Sequence, residues 1–446
     1  MRDYGADKWR WESLRNLATV VSGGTPSRYV REFWENGTIP WVTPTDLTGT
    51  RGRFLSETRE RITARGLASC SATLLPPGTL LMTSRATLGE IRIAACQVCT
   101  NQGFKSLVPL PGTHGPFLYY QMLLSKERYR ALGIGSTFLE VNKRDTERFG
   151  VLVPPTLDQQ IRLAGILSTV DEAIDQTEAL IAKTMQIKAG LLHDLFTRGV
   201  IADGKLRPPC EEAPQLYKES PVGWIPTSWK TLRLEAIADS VIDGPFGSNL
   251  KSEHYIEGEG VRVVRLQNIQ DGHYNDSDKA FVSEKYAAGL IRHQVMPGDI
   301  LIAALGEDNN PVGRACCYPA DLPAAINKAD CFRLRCKRNL AANAFVMEFL
   351  NTARAKEQIR RYEQGVTRRR INLSNLKRII VALPGPEEQE SINEATRMTS
   401  GYMAGYLDEL QKLKMVKQGL MQDLLSGPVR ACATAAPEIA KVAANV

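Results

Sequence analysis

Apolar and polar positions alternate along this chain in two rhythms, and each rhythm occurs twice. Between Val170 and Leu195, apolar or intermediate side chains recur at alternating steps of four and three: Val170, Ile174, Thr177, Ile181, Thr184, Lys188, Leu191, Leu195. That spacing predicts a long helix with a coiled-coil seam. An offset of 229 positions repeats it as Thr399, Met403, Tyr406, Leu410, Leu413, Lys417, Leu420, Leu424. One stripe alone reads as an amphipathic helix lying on its own domain, whereas two matching stripes can bury each other. Lys188 and Lys417 fall at the same seam position in the two copies. They form a register device if the helices run antiparallel, or a solvated stripe edge if they do not.

The second rhythm is that of short strands broken by Gly and Pro turns. LPPGTLLMTS, GEIRIAA and FGVLVPP read as strands before the first helical stretch, with one helix, PFLYYQMLLSKERYRAL, among them. VRVVRLQNI, GDILIAAL and CFRLRC repeat the plan later, followed by the helix NAFVMEFLNTARAKEQIRRYE. RWESLRNLATVVSGGTP echoes SWKTLRLEAIADSVIDGPFG, and GSTFLEVNKRDTERF echoes GVTRRRINLSNLKRI. A whole unit is duplicated.

The expected class is α+β, with an internal pseudo-two-fold repeat. Two mixed α/β heads cover residues 1–156 and 221–385, and two long helices, antiparallel in a coiled coil, cover 157–198 and 386–427. Residues 199–220, rich in Pro, Glu and Lys, read as a linker, and the Ala-rich tail 428–446 as disordered. Nearly forty helical residues make a rod of roughly 60 Å, long enough to act as a spacer.

Length agrees with this division, because 446 residues exceed one typical domain several-fold. No run approaches the roughly 20 apolar residues a membrane helix needs, and MRDYGADKWRWESL lacks the apolar stretch of a signal peptide. A cytoplasmic chain without membrane contact is expected. Nine cysteines, an odd number spread thinly, argue for reduced thiols rather than a disulfide framework. Cys96 and Cys99 form a CxxC with no second pair at finger-like spacing, so no metal site is expected.

The net charge of +7 suits a polyanionic partner, and its distribution is more informative than its size. Arg354, Lys356, Arg360, Arg361, Arg368, Arg369, Arg370, Lys377 and Arg378 crowd the end of the second head, and RRRINLSN adds amide side chains able to read base edges. Lys126, Arg128, Arg130, Lys143, Arg144 and Arg148 hold the corresponding place in the first head. No GxxxxGK[ST] loop, HExxH pair or strand-to-helix glycine loop occurs, and VPPT at 153–156 lacks the flanks an amino-methyltransferase needs around a flipped base. The pattern is that of a reader without an active site.

GGTPS, IPWVTPTDL, LLPPGTLLMTSRATLGEIRIA and TNQGFKSLVP, followed by GSTFLEVN, VPPTLDQQ, KAGLLHDLFTRGV and KESPVGWIPTSW, together resemble the specificity subunits of type I restriction-modification systems. The resemblance implies two target-recognition domains, each reading half of a split, asymmetric double-stranded DNA site. It also implies partners: two methyltransferase subunits on the helices and heads, and motor-nuclease restriction subunits for cleavage. No cofactor is expected on this chain, because S-adenosylmethionine, ATP and Mg belong to those partners. On these motifs and basic clusters the expected DNA-contacting residues are Thr43, Thr45, Asp46, Ser84, Arg85, Asn101, Gln102, Lys105, Lys143 and Arg144 in the first head. In the second they are Arg265, Gln267, Asn268, Lys328, Arg368, Arg369, Arg370 and Asn372. The alternative is a coiled-coil scaffold whose heads bind protein.

Overall fold

The computed structural model describes residues 9–427 apart from positions 86, 136–138, 246 and 309. The tail from position 428 and the centre of GSTFLEVN therefore lie outside the described residues. The chain divides into two compact units, Met1–Leu180 with Leu407–Val446 and Ile181–Tyr406. The division cuts both long helices, Leu157–Thr197 and Pro386–Leu425, near their middles. Each unit is thus one head packed on the first half of one helix and the second half of the other, which run antiparallel.

In the first unit the core sheet is ordered Ala18–Ser22, Lys105–Pro109, Leu80–Met82, Ile91–Ala94, Phe54–Leu55. Beside it lies a three-stranded sheet in which Ile39–Val42 pairs antiparallel with Glu60–Ile62 and parallel with Cys99–Thr100. Arg10–Ser13 closes the head against Gly150–Val153, immediately before the first long helix. The second unit repeats these relations. A sheet ordered Ala238–Ile242, Cys331–Cys336, Ile300–Ala303, Ala315–Cys317 stands beside one in which Val261–Val264 pairs parallel with Ala325–Asn327. Lys230–Arg233 closes it against Ile380–Leu383, immediately before the second long helix.

The 229-residue repeat is visible as chemistry as well as shape. Gln160 is buried, accepting from the His114 amide at 2.8 Å and donating to the Gly112 carbonyl. Gln389 does the same in the other unit, accepting from the Ala342 amide at 2.9 Å and donating to the Leu340 carbonyl. In each case a glutamine in the first turn of a long helix fixes the loop that starts the head's own helix. A buried amide with several partners is worth more than one bond, because losing it strands them all.

The far ends of the helices are apolar anchors. Leu195 and Phe196 sit in the core of the second unit, with Phe196 against Phe345 and Phe349 at 5.0 and 6.1 Å between ring centroids. Leu424 and Leu425 sit in the core of the first unit, where the Gln121 side chain donates to the Leu425 carbonyl. AGLLHDLF and QGLMQDLL are therefore docking ends. Each helix starts in one unit and is anchored in the core of the other.

Four local expectations change. The helix read from PFLYYQMLLSKERYRAL is two, Gly115–Leu124 and Lys126–Arg130, separated by buried Ser125. The helix read from NAFVMEFLNTARAKEQIRRYE is also two, Asn343–Asn351 and Ala353–Tyr362, because Thr352 leaves the helical conformation and its hydroxyl caps the second by accepting from the Ala355 amide. The stretch read as a linker is packed: Val200 donates to Glu388, Arg207 pairs with the same carboxylate, and the Tyr217 hydroxyl reaches the Pro208 carbonyl. Finally, the seam lysines meet position 171 or 400 of the opposing helix rather than each other. Lys417 lies 2.6 Å from Asp171, and Lys188 donates to Ser400 at 3.0 Å. Position 400 is position 171 displaced by the same 229 residues, so one antiparallel register satisfies both. Gly401 and Gly405 face open space and leave the second helix unbroken.

Candidate nucleic-acid interface

The strands that pair in parallel deliver the expected contact residues to one place in each head. In the first, Ile39–Val42 ends at Thr43, whose hydroxyl and amide both bond the Asp46 carboxylate, at 2.6 and 2.8 Å. The Arg59 amide reaches the other Asp46 oxygen at 3.1 Å. The neighbouring strand leaves alongside, with the Asn101 amide bonded to the Val42 carbonyl. Ser84 joins through its amide to the Gly103 carbonyl and through its carbonyl to the Val141 amide. Thr43, Ser84 and Asn101 therefore lie at strand ends, while Thr45 and Asp46 belong to the short helix Pro44–Gly49, Lys105 opens the strand Lys105–Pro109, and Lys143 and Arg144 open the helix Lys143–Arg148.

The second head builds the same corner. Val261–Val264 ends at Arg265, whose amide bonds the Asn268 side chain at 2.8 Å. The Lys328 amide takes the Val264 carbonyl, and the Ala304 amide takes the Asp330 carbonyl. Ile371 is tied to Ala304 as Val141 is to Ser84. The basic hairpin leading into Ile371 is held by two hydrogen bonds between Gln364 and Arg370, and by the pairing of Arg369–Arg370 with Leu305–Gly306. Its first head counterpart is the bridge between Ile134 and Glu140.

Burial divides the expected residues into two kinds. Asp46, Asn268, Ser84 and Lys105 are buried, with their polar atoms used inside the fold. Asn268 donates to the Asn275 and Asp278 carbonyls, so it shapes the turn and offers nothing outward. Asn142 and Asn372 are equivalent helix caps, accepting from the amides of Asp145 and Asn375 at 2.9 and 2.8 Å. The Asn101 side chain folds back onto the Gly103 amide. These residues build the surface. The sequence marks them as polar but not as inward-facing, because a capping side chain and a base-reading side chain are drawn from the same residue types.

Charge pairing thins the basic set further. Burial pushes the Lys105 ammonium below its usual range against the pull of Glu140, which lies 3.6 Å away and also holds Arg85 at 2.8 Å. Arg265 pairs with Asp278, Arg369 with Asp308, and Arg370 with Asp330. Lys143 sits 3.7 Å from Glu147. Exposed Arg144 and Arg368 make no ion pair among the described residues. Lys328 lies over the Tyr255 ring at 5.2 Å. Two neighbours were not read from the sequence: Tyr29, 98% exposed, beside Arg28 stacked at 3.8 Å on Trp34, and Val366, 91% exposed at the tip of the basic hairpin. Exposed aromatic and aliphatic side chains leave no signal in a charge count.

The CxxC holds no paired thiols. Cys96 donates toward the Ser56 carbonyl, whereas buried Cys99 donates toward Pro40 and its thiol is pushed up to about 12. Among the described residues no group of three or more His, Cys, Asp or Glu is arranged to hold a metal, and no helix is long and apolar enough to cross a membrane.

Comparisons with known proteins agree with this architecture. Residues 6–184 match the type I restriction modification DNA specificity domain. The MjaIX specificity subunit of Methanocaldococcus jannaschii is 30% identical over 267 residues, 59% of each chain. The MjaVIII specificity subunit of the same organism is 24% identical over 428 residues, 94% of this chain and 93% of that one. The first alignment thus spans under two thirds of its relative and the second nearly all. The fold is similar to the crystal structure of the type I S subunit from M. genitalium, with a TM-score of 0.57 at 16% identity over 97% of this chain and 99% of that one. The duplicated heads, the antiparallel helices and these matches together make the chain similar to the DNA specificity subunits of type I restriction-modification systems.

Proposed function

We propose that this chain reads a split, asymmetric double-stranded DNA site, one half with each head, and directs methyltransferase and motor-nuclease restriction subunits to it. The observation that carries the reading is the repetition of one loop corner in both heads with different side chains presented on it. A repeated frame imitates the two-fold symmetry with which dimeric readers engage two half-sites, and unequal heads make the site non-palindromic. The chain contributes recognition alone: chemistry, cofactors and ATP-driven motion belong to two methyltransferase subunits and the motor-nuclease partners. DNA as substrate makes the cytoplasm its place of action.

Exchanging residues 1–156 for those of a relative with a different target is expected to change one half of the methylated site and leave the other intact. Mapping modified adenines in cells carrying the exchanged system reads this directly. A change in both halves, or in neither, would overturn the proposal, and an assembled complex with no sequence preference would favour a protein-binding scaffold.

Within the basic hairpin, Arg368→Ala is expected to weaken DNA binding and to lower the slope of log K against log salt by about 0.9, the value for one phosphate contact. Arg369→Ala and Arg370→Ala should change the slope less, because both arginines already have carboxylate partners. Fluorescence titrations across a salt series measure all three.

A further inference from the structure

Each head presents one outward polar side chain just beyond its parallel strand pair, and the two occupy the same place. In the first head the strand carbonyl of Val42 accepts from Asn101, Thr43 starts the turn, Asp46 closes it from inside, and Thr45 faces outward. In the second, Val264 accepts from Lys328, Arg265 starts the turn, Asn268 closes it from inside, and Gln267 faces outward. The inner residues are buried and the outer ones exposed, in both copies. One further relation fixes the match. A side chain on Gly23 would overlap the Thr100 and Asn101 carbonyls, and one on Gly244 would overlap the Lys328 carbonyl, so the same close approach backs each corner.

We infer that Thr45 and Gln267 are the equivalent base-reading positions of the two heads, and that their different chemistry is one source of the difference between the half-sites. This rests on the DNA-reading function proposed above. Gln267 carries a donor and an acceptor on one planar amide, the pattern that matches N7 and N6 of adenine in the major groove. Its side chain makes no hydrogen bond among the described residues, whereas its carbonyl is held by Gln270 and Asn275. The backbone is therefore fixed and the amide unoccupied. Thr45 offers a methyl group and a hydroxyl, the latter 3.0 Å from the Thr43 hydroxyl. Such a side chain suits contact with a thymine methyl and cannot supply the bidentate amide pattern. The partner strand of each pair extends the contrast: Asn101 and Gln102 follow Cys99–Thr100 in the first head, whereas Lys328 and Ala329 follow Ala325–Asn327 in the second.

The test is a selection from a random DNA library by the full chain assembled with its methyltransferase subunits, comparing wild type with Thr45→Gln, Gln267→Thr and Gln267→Glu. Both positions are exposed, so the variants should fold, and an unchanged preference in the untouched half-site reports that they have. The expected result is a loss of about ten-fold or more in preference at one base pair of one half-site, the half differing between the Thr45 and Gln267 variants. A wild-type complex that selects a split site while the variants keep every base preference would overturn the inference and leave the function standing. A wild-type complex that selects no sequence would overturn both.

Discussion

Replacing Lys188 with Met is expected to destabilise its unit by about 3–5 kcal/mol, the range for removing one partner of a buried ion pair. Lys188 donates to Glu348 at 3.3 Å and to Ser400 at 3.0 Å, and the Glu348 side chain is only 5% exposed. Its second carboxylate oxygen has no partner among the described residues. Burial raises the Glu348 carboxyl above its usual range, Lys188 opposes this, and Asp271 adds to it. A carboxyl raised in the folded state contributes stability that is complete below its unfolded pKa and lost as pH rises through its folded one. Without Lys188 the raising influences act alone, so the folded value rises further. The deficit of Lys188→Met should therefore be smallest in acid and grow toward neutral and alkaline pH. His273, itself held down by burial, faces the same lysine and adds little charge above neutral pH. Thermal unfolding of the full chain across a pH series measures the effect. Lys188→Met with Glu348→Gln should recover most of the loss, and an equal deficit at all pH values would exclude the buried carboxylate as its cause.

The same lock exists in the other unit with different residues, which explains why the repeat was legible but its chemistry was not. Lys417 meets Asp171 at 2.6 Å, and Asp171 accepts from the Tyr120 hydroxyl at 2.6 Å with Arg53 at 3.9 Å. Tyr120 and Glu348 hold matching places on their heads' helices, three residues after Phe117 and Phe345. Spacing alone revealed the helices, because an apolar seam has a period that composition cannot hide. It placed both lysines on the seam, yet their partners come from the opposing helix and from the head, positions the period does not encode. Likewise the strands around Leu80–Met82 and Ile300–Ala303 followed from alternation and turns, whereas the break at Thr352 arose from local side-chain capping within good helical sequence, and the one at Ser125 has no such cap bond. For the interface, the motifs named the strand exits around Thr43 and Arg265 as a group. They did not separate Thr45 from Asp46, or Arg368 from Arg370, since only burial and ion pairing make that distinction.

Gly244→Ala should be the most damaging small substitution in the second head, and Gly23→Ala its equal in the first. An added methyl group at Gly244 would coincide with the Lys328 carbonyl carbon and oxygen, and at Gly23 with the Asn101 and Thr100 carbonyls. These are backbone atoms of strands already committed to neighbours: Val264 accepts from Lys328, and Val42 from Asn101. No flexible side chain can move aside, so the strand exit itself must shift, at a cost of about 3 kcal/mol, the upper end for overpacking. The consequence for recognition is specific to one half-site. A displaced Lys328 shifts the corner that carries Arg265 and Gln267, while the first head keeps its geometry. Gly244→Ala should therefore abolish preference at the half-site read by the second head and spare the other, and Gly23→Ala should do the reverse. Library selection with each variant in the assembled complex, alongside circular dichroism to establish that the chain remains folded, distinguishes this from general unfolding. Equal loss in both half-sites from either variant would mean that the glycines serve stability alone and that the corners behind them do not read DNA.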